Sequence, residues 1–232
     1  MTRALLTLLF TLTFVLSPLV TDPFSGFRAD QLPIPQIDPP IQPAGYAFAI
    51  WGLIYGWLVV SAAFGVWKRS TDPAWDIMRP PLIMSLAIGT PWLWVANQSA
   101  IWATVMIFAM AVPAIWAMWL APAADRWLAR APVSIYAGWL TAASFVSLGS
   151  TMAGYGVALD QIGWAYLGIA LALAVALPVQ WMTRAPGYGL TIIWASVAII
   201  VANGANLISG LAALGILAMA ALLWLRRPAS LV

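Results

Sequence analysis

Six aromatic residues, standing in three pairs, are the side chains of this 232-residue chain best placed to do chemistry. Trp51 and Tyr55 are four apart, Trp92 and Trp94 two apart, and Tyr136 and Trp139 three apart. Ala143 and Ser147 follow Trp139 at four-residue steps. Three or four residues is one helical turn, so the first and last pairs each share a helix face. Rings placed in this way offer stacking and apolar burial, with an N–H or O–H at the rim. That is the chemistry of holding a flat, apolar molecule. Proton and metal chemistry have few residues to work with. There is no Cys, His or Glu, which excludes disulfides, thiolate catalysis, haem ligation by His, and His or Cys metal sites. The seven acids are all aspartates: Asp22, Asp30, Asp38, Asp72, Asp76, Asp125 and Asp160.

The elements that must carry these rings are set by composition. The chain is 63% hydrophobic and 7% charged, against roughly 25% charged in a soluble domain. It cannot cover a water-facing surface and reads as an integral membrane protein. Uncharged runs of spanning length give eight transmembrane helices: 4–20, 45–67, 81–97, 100–120, 132–152, 163–183, 188–204 and 208–225. Polar breaks at Asn97-Gln98-Ser99 and at Asn203-Gly204-Ala205-Asn206 divide the long charge-free stretches. The fold class is therefore all-α, a polytopic membrane helix bundle. With the N-terminus inside, Arg3, Lys68, Arg69, Arg79, Arg126, Arg130, Arg184, Arg226 and Arg227 fall inside and Arg28 alone outside. This obeys the positive-inside rule and places both termini in the cytoplasm.

The first run reads as a retained helix rather than a cleaved leader, because no A-x-A-like site follows it. The Pro-rich stretch 21–44 is the long outside loop, in extended backbone, and Pro43 marks a helix start. The basic residues are scattered singly, which gives no nucleic-acid signal. No Asp, Lys or Arg falls within the eight runs, which argues against a pump, a proton-coupled transporter or a cation channel. The loop acids Asp72, Asp76 and Asp125 sit beside basic residues and read as solvated charges.

Fifteen tryptophans need more than one explanation. Trp67, Trp75, Trp119, Trp127, Trp164, Trp181 and Trp224 lie near span ends, as interface rings do. Trp51, Trp57, Trp92, Trp94, Trp102, Trp116, Trp139 and Trp194 are less easily assigned to an interface, and several of them are expected deeper or facing inward. Gly52 and Gly56, on the face beside Trp51 and Tyr55, are expected to let another helix approach. Pro91 should kink the third run or loosen its hydrogen bonding around residue 87. Neutral polar residues such as Tyr136, Thr141, Ser147 and Gln180 read first as helix–helix hydrogen bonds.

The stretches PAGYAFAIWGLIY at 43–55, WLW at 92–94 and YAGWLTAASFVS at 136–147 resemble the TspO/MBR family, the tryptophan-rich sensory proteins related to the peripheral benzodiazepine receptor. Trp51 and Tyr55, Trp92 and Trp94, and Tyr136, Trp139 and Ala143 match its aromatic pattern. Pro91, Ile135 and Ser147 stand where the family usually has Asn, Pro and Asn. The resemblance covers about residues 1–152, five runs in the family's order. It implies a helical membrane protein, often a homodimer, that binds tetrapyrroles such as protoporphyrin IX. Trp51, Tyr55, Trp92, Trp94, Tyr136, Trp139, Ala143 and Ser147 are then the ligand-binding set.

The chain accordingly divides into a TspO/MBR-like region, 1–152, with the outside loop 21–44, and three additional helices in 153–232. The expected function is a membrane receptor or sensor for a hydrophobic planar ligand, with no required cofactor, no metal and no catalytic residue. The expected partners are the lipid bilayer, a porphyrin-like small molecule and a second copy of the chain. A facilitator transporting an uncharged or amphipathic solute, a porphyrin-modifying enzyme at the membrane surface, and an assembly partner are the alternatives. The expected location is a bacterial inner membrane, crossed many times.

Overall fold

The computed structural model describes residues 1–226; Arg227 and the end of the 153–232 region lie outside the described residues. The described residues are mostly helical, with no strand among them. The helices are α1 (Thr2–Leu16), α2 (Ile50–Arg69), α3 (Pro73–Asp76), α4 (Arg79–Gly89), α5 (Trp92–Ala96), α6 (Ala100–Leu120), α7 (Ala131–Gly154), α8 (Gln161–Thr183), α9 (Pro186–Asn203) and α10 (Leu207–Leu225). Seven helical stretches are long and apolar enough to cross a membrane. The chain is an integral, multi-pass membrane protein.

The third expected run, 81–97, is not one helix but two, α4 and α5, parted at Thr90-Pro91. Pro91 has no N–H to give. The Thr90 hydroxyl bonds the Leu86 carbonyl (3.0 Å) and the Thr13 hydroxyl (2.9 Å), which ties the break to α1. The broken pair still traverses the bundle beside α1. Arg3 meets Asp76 at 2.5 Å where the pair begins, and Asn97 donates to the Asp22 carbonyl at 3.0 Å where it ends. Seven long helices and one broken one thus make eight passages.

The entry to α2 also differs from expectation. Ala44 is still extended, with its N–H on the Ala198 carbonyl (3.0 Å), and a 3-10 turn, Gly45–Ala49, follows before α2 begins. Pro43 therefore precedes the turn rather than opening the helix. A π-helical turn, Arg126–Arg130, leads into α7.

The main core is shared by early and late helices. Phe14, Ile54, Leu58, Leu86, Ile107, Tyr136 and Leu140 pack in one cluster with Tyr188, Ile192 and Met219. Gly138 permits the closest approach: a Cβ there would sit 2.8 Å from the Tyr188 carbonyl oxygen, so α7 and α9 touch backbone to backbone. Tyr188 also donates to the Thr141 hydroxyl at 3.1 Å. Gly52 and Gly56 do not serve the expected purpose inside the chain. A Cβ at either would meet nothing within 4 Å, so that face of α2 looks outward.

Two tryptophans expected at the interface, Trp75 and Trp164, are buried, and of the eight less easily assigned there, Trp102 and Trp116 are mostly exposed on α6. Trp75 and Trp164 are buried because their N–H groups find partners, the Asp125 carboxylate (2.8 Å) and the Val157 carbonyl (2.6 Å).

The two ends of the bundle carry opposite charge. Arg3, Lys68, Arg69, Arg79, Arg126, Arg130, Arg184 and Arg226 cap one end; Arg28 with Asp22, Asp30, Asp38 and Asp160 mark the other. At the basic end the loop acids are not free solvated charges. Asp125 holds Arg69 (2.8 Å) as well as Trp75, and Asp76 holds Arg3 and Arg79. Arg79 is buried, and its guanidinium also donates to the Gly65, Arg69 and Ser70 carbonyls at the end of α2. A cation suits that position, where unpaired carbonyls leave partial negative charge.

Candidate ligand cavity

The acidic end opens onto a cavity of about 280 Å³. Its floor and walls come from α1, α2, α5, α6, α7, α8 and α9, and its roof from the loop between α1 and α2. Roof residues Phe24 and Phe27 pack edge to face at 5.7 Å, and Phe24 packs on Trp92 at 5.2 Å. The loop is pinned at both sides: Gln31 to the Ala96 carbonyl (2.8 Å), Ile34 N–H to the Gly154 carbonyl (2.8 Å), and the Pro40 carbonyl to Asn203 (2.8 Å). These bonds satisfy the Pro-rich 21–44 backbone, whose one helical piece is a 3-10 turn, Ala29–Gln31.

Six of the eight residues singled out in the sequence line this cavity: Trp51, Tyr55, Trp92, Trp139, Ala143 and Ser147. Trp51 stacks on Tyr55 at 5.2 Å and meets Trp139 edge to face at 6.2 Å. Phe14 of α1 closes the group, 5.9 Å from Trp51 and 5.4 Å from Tyr55. Phe48 backs Trp139 at 5.8 Å. The rings therefore form one continuous apolar wall from three helices and the turn before α2.

Trp94 and Tyr136 lie elsewhere. Trp94 is 60% exposed and Trp92 only 7%: residues two apart on a helix point to nearly opposite sides, so one ring of the pair faces out. Tyr136 is fully buried behind the wall, its hydroxyl 2.8 Å from that of Ser85, which in turn donates to the Met110 carbonyl. It supports Phe14, 5.7 Å away, from behind.

The polar atoms differ in their availability. The Ser147 hydroxyl is 2.7 Å from that of Thr104, which also meets Thr151 at 2.9 Å, so it is engaged between α6 and α7. Trp92 donates to the Ala103 carbonyl at 2.9 Å. The indole N–H groups of Trp51 and Trp139 and the Tyr55 hydroxyl have no hydrogen-bond partner among the described residues. Three donors of residues in the wall thus lack a partner in the protein. No Lys or Arg lines the cavity, and Asp22 is the one acid that does.

Sequence reasoning missed Phe14, the roof residues Phe24 and Phe27, and the α8 and α9 wall that includes Ile169, Leu173 and Ile192. Two phenylalanines inside a Pro-rich outside loop were the available signal for the roof. The plain aliphatic wall carried none. No cluster of His, Cys, Asp or Glu able to hold a metal occurs among the described residues.

A family model described as TSPO-like protein matches residues 4–225, which takes in the last three long helices as well as the first five passages. No curated protein and no solved structure matches the chain.

Proposed function

The chain belongs to the TSPO-like family, and on that footing we propose that it is a membrane sensory or binding protein for a hydrophobic planar ligand of the tetrapyrrole class, such as protoporphyrin IX. The observation that carries this reading is the wall formed by Phe14, Trp51, Tyr55 and Trp139, with three unpartnered donors on it. Offset and edge-on ring contacts suit a flat π-system, and the donors give it an orientation. The cavity lies just under the roughly 300–1,000 Å³ of ligand clefts. A macrocycle therefore seats only as the roof loop moves outward.

By the positive-inside rule the basic end faces the cytoplasm and the cavity opens on the outer side, in a bacterial inner membrane. A homodimer belongs to the same proposal, and the outward face of α2 with Gly52 and Gly56 offers it a close-packing surface.

The test is quenching of intrinsic Trp fluorescence by protoporphyrin IX in purified protein. Saturable quenching is expected, with Trp139→Phe and Trp51→Phe each weakening it by about 1 kcal/mol, roughly five-fold in Kd. Quenching that rises without saturation, or that ignores both substitutions, overturns the proposal.

A further inference from the structure

The charge around the cavity mouth bears on which ligands the site accepts. Resting on the reading above, we infer that the cavity selects an uncharged flat ligand over the same ring system carrying free carboxylates. Asp22 lines the mouth, its side chain exposed and in no ion pair among the described residues. The acidic end as a whole carries one arginine against four aspartates, net −3.

Arg28, the only cation on that face among the described residues, is already committed. Its Nε lies 3.0 Å from the Asp30 carboxylate, and a second nitrogen donates to the Asn97 carbonyl at 3.3 Å. A carboxylate guest would have to share that guanidinium with Asp30 or go unpaired, and a charge brought into an apolar cleft without a partner is costly. The free Trp51, Trp139 and Tyr55 donors suit an uncharged acceptor such as an ester or ketone oxygen, which loses little on leaving water. The field of the surrounding aspartates acts in the same direction before contact, by lowering the local concentration of anions.

The probes are protoporphyrin IX and its dimethyl ester, titrated into full-length protein in phosphatidylcholine nanodiscs at low ionic strength, with affinities corrected for partition into empty discs. Two variants change the charge. Asp22→Asn removes the mouth acid, whose side chain makes no hydrogen bond, and Gln42→Arg adds a cation where Gln42 lines the cavity, at the cost of the Gln42 bond to the Ser25 carbonyl (3.1 Å). The ester should bind more tightly than the diacid to the unmodified protein. Asp22→Asn should raise diacid affinity roughly two- to five-fold and leave the ester unchanged, an effect that added salt erases. Gln42→Arg should favour the diacid alone. Diacid affinity equal to or above that of the ester, or diacid affinity unmoved by both substitutions, overturns the inference while leaving the cavity as the binding site. Absence of Trp139-dependent quenching by either porphyrin removes the underlying reading, and the inference with it.

Discussion

Arg79 shows how much one residue can hold. It is buried among apolar neighbours, yet its guanidinium serves three main-chain carbonyls at the end of α2 and the Asp76 carboxylate. Arg79→Leu leaves those acceptors without a donor in a site closed to water. Unfolding in detergent should show a loss of about 3 kcal/mol. Arg79→Lys should recover little, because an ammonium lacks the planar fork that spans several carbonyls. A loss under 1 kcal/mol for the leucine variant would mean that water replaces the guanidinium. The sequence pointed to a basic residue at a helix boundary and could go no further. Whether such a residue is solvated or enclosed depends on α3 folding back so that Trp75 covers Gly65, 3.1 Å from where its Cβ would be. The cavity wall divides in the same way. Trp51, Tyr55 and Trp139 were legible because aromatic rings at helical spacing are rare. Phe14, Ile169 and Ile192 were not, since an aliphatic or phenyl side chain facing a cavity looks like one facing lipid.

Among the elements, the run lengths and polar breaks that gave the eight passages survive with shifts of a few residues, because the bilayer imposes a length on each. What hydropathy could not show is how the connections act. The stretch from α2 through α3 to α4, and the π-helical turn before α7, are joined by Asp125 gripping Arg69 and Trp75. Hydrogen bonds from Arg69 and Trp75 hold the Asp125 carboxyl below the usual range. At Asp76 burial opposes the charged form, but hydrogen bonds from Arg3 and Arg79 outweigh it and the value again falls. Both acids are depressed in the folded state. Their contribution is therefore complete above the unfolded carboxylate value, about 3.9, and is lost as pH falls through the lower folded values. The thermal midpoint should hold steady from pH 7 to about 5 and drop below 4. Asp125→Asn should start lower at pH 7 and converge on the unmodified protein in acid. A gap between the two that stays constant down to pH 2 would show that the carboxylate charge plays no part.

For the whole molecule, one core spans both the first five passages and the last three, and the cavity uses both. The charged ends and the ring of aromatic side chains follow from one sequence pattern each, but the roof does not. It is a proline-rich strap fastened to the tips of α5, α7 and α9 and pressed onto Trp92 by Phe24. Phe24→Ala should leave the fold intact, since Phe24 is only partly buried, and should speed both entry and escape of a porphyrin in stopped-flow quenching. Its equilibrium affinity should change less than either rate. Unaltered rates would place the entrance between helices instead. The fastened strap also has a consequence in time. A guest that leaves only when several hydrogen bonds and a ring contact let go together is held long after its supply has fallen. With the proposed ligand, a protein of this build would register past exposure rather than the concentration of the moment.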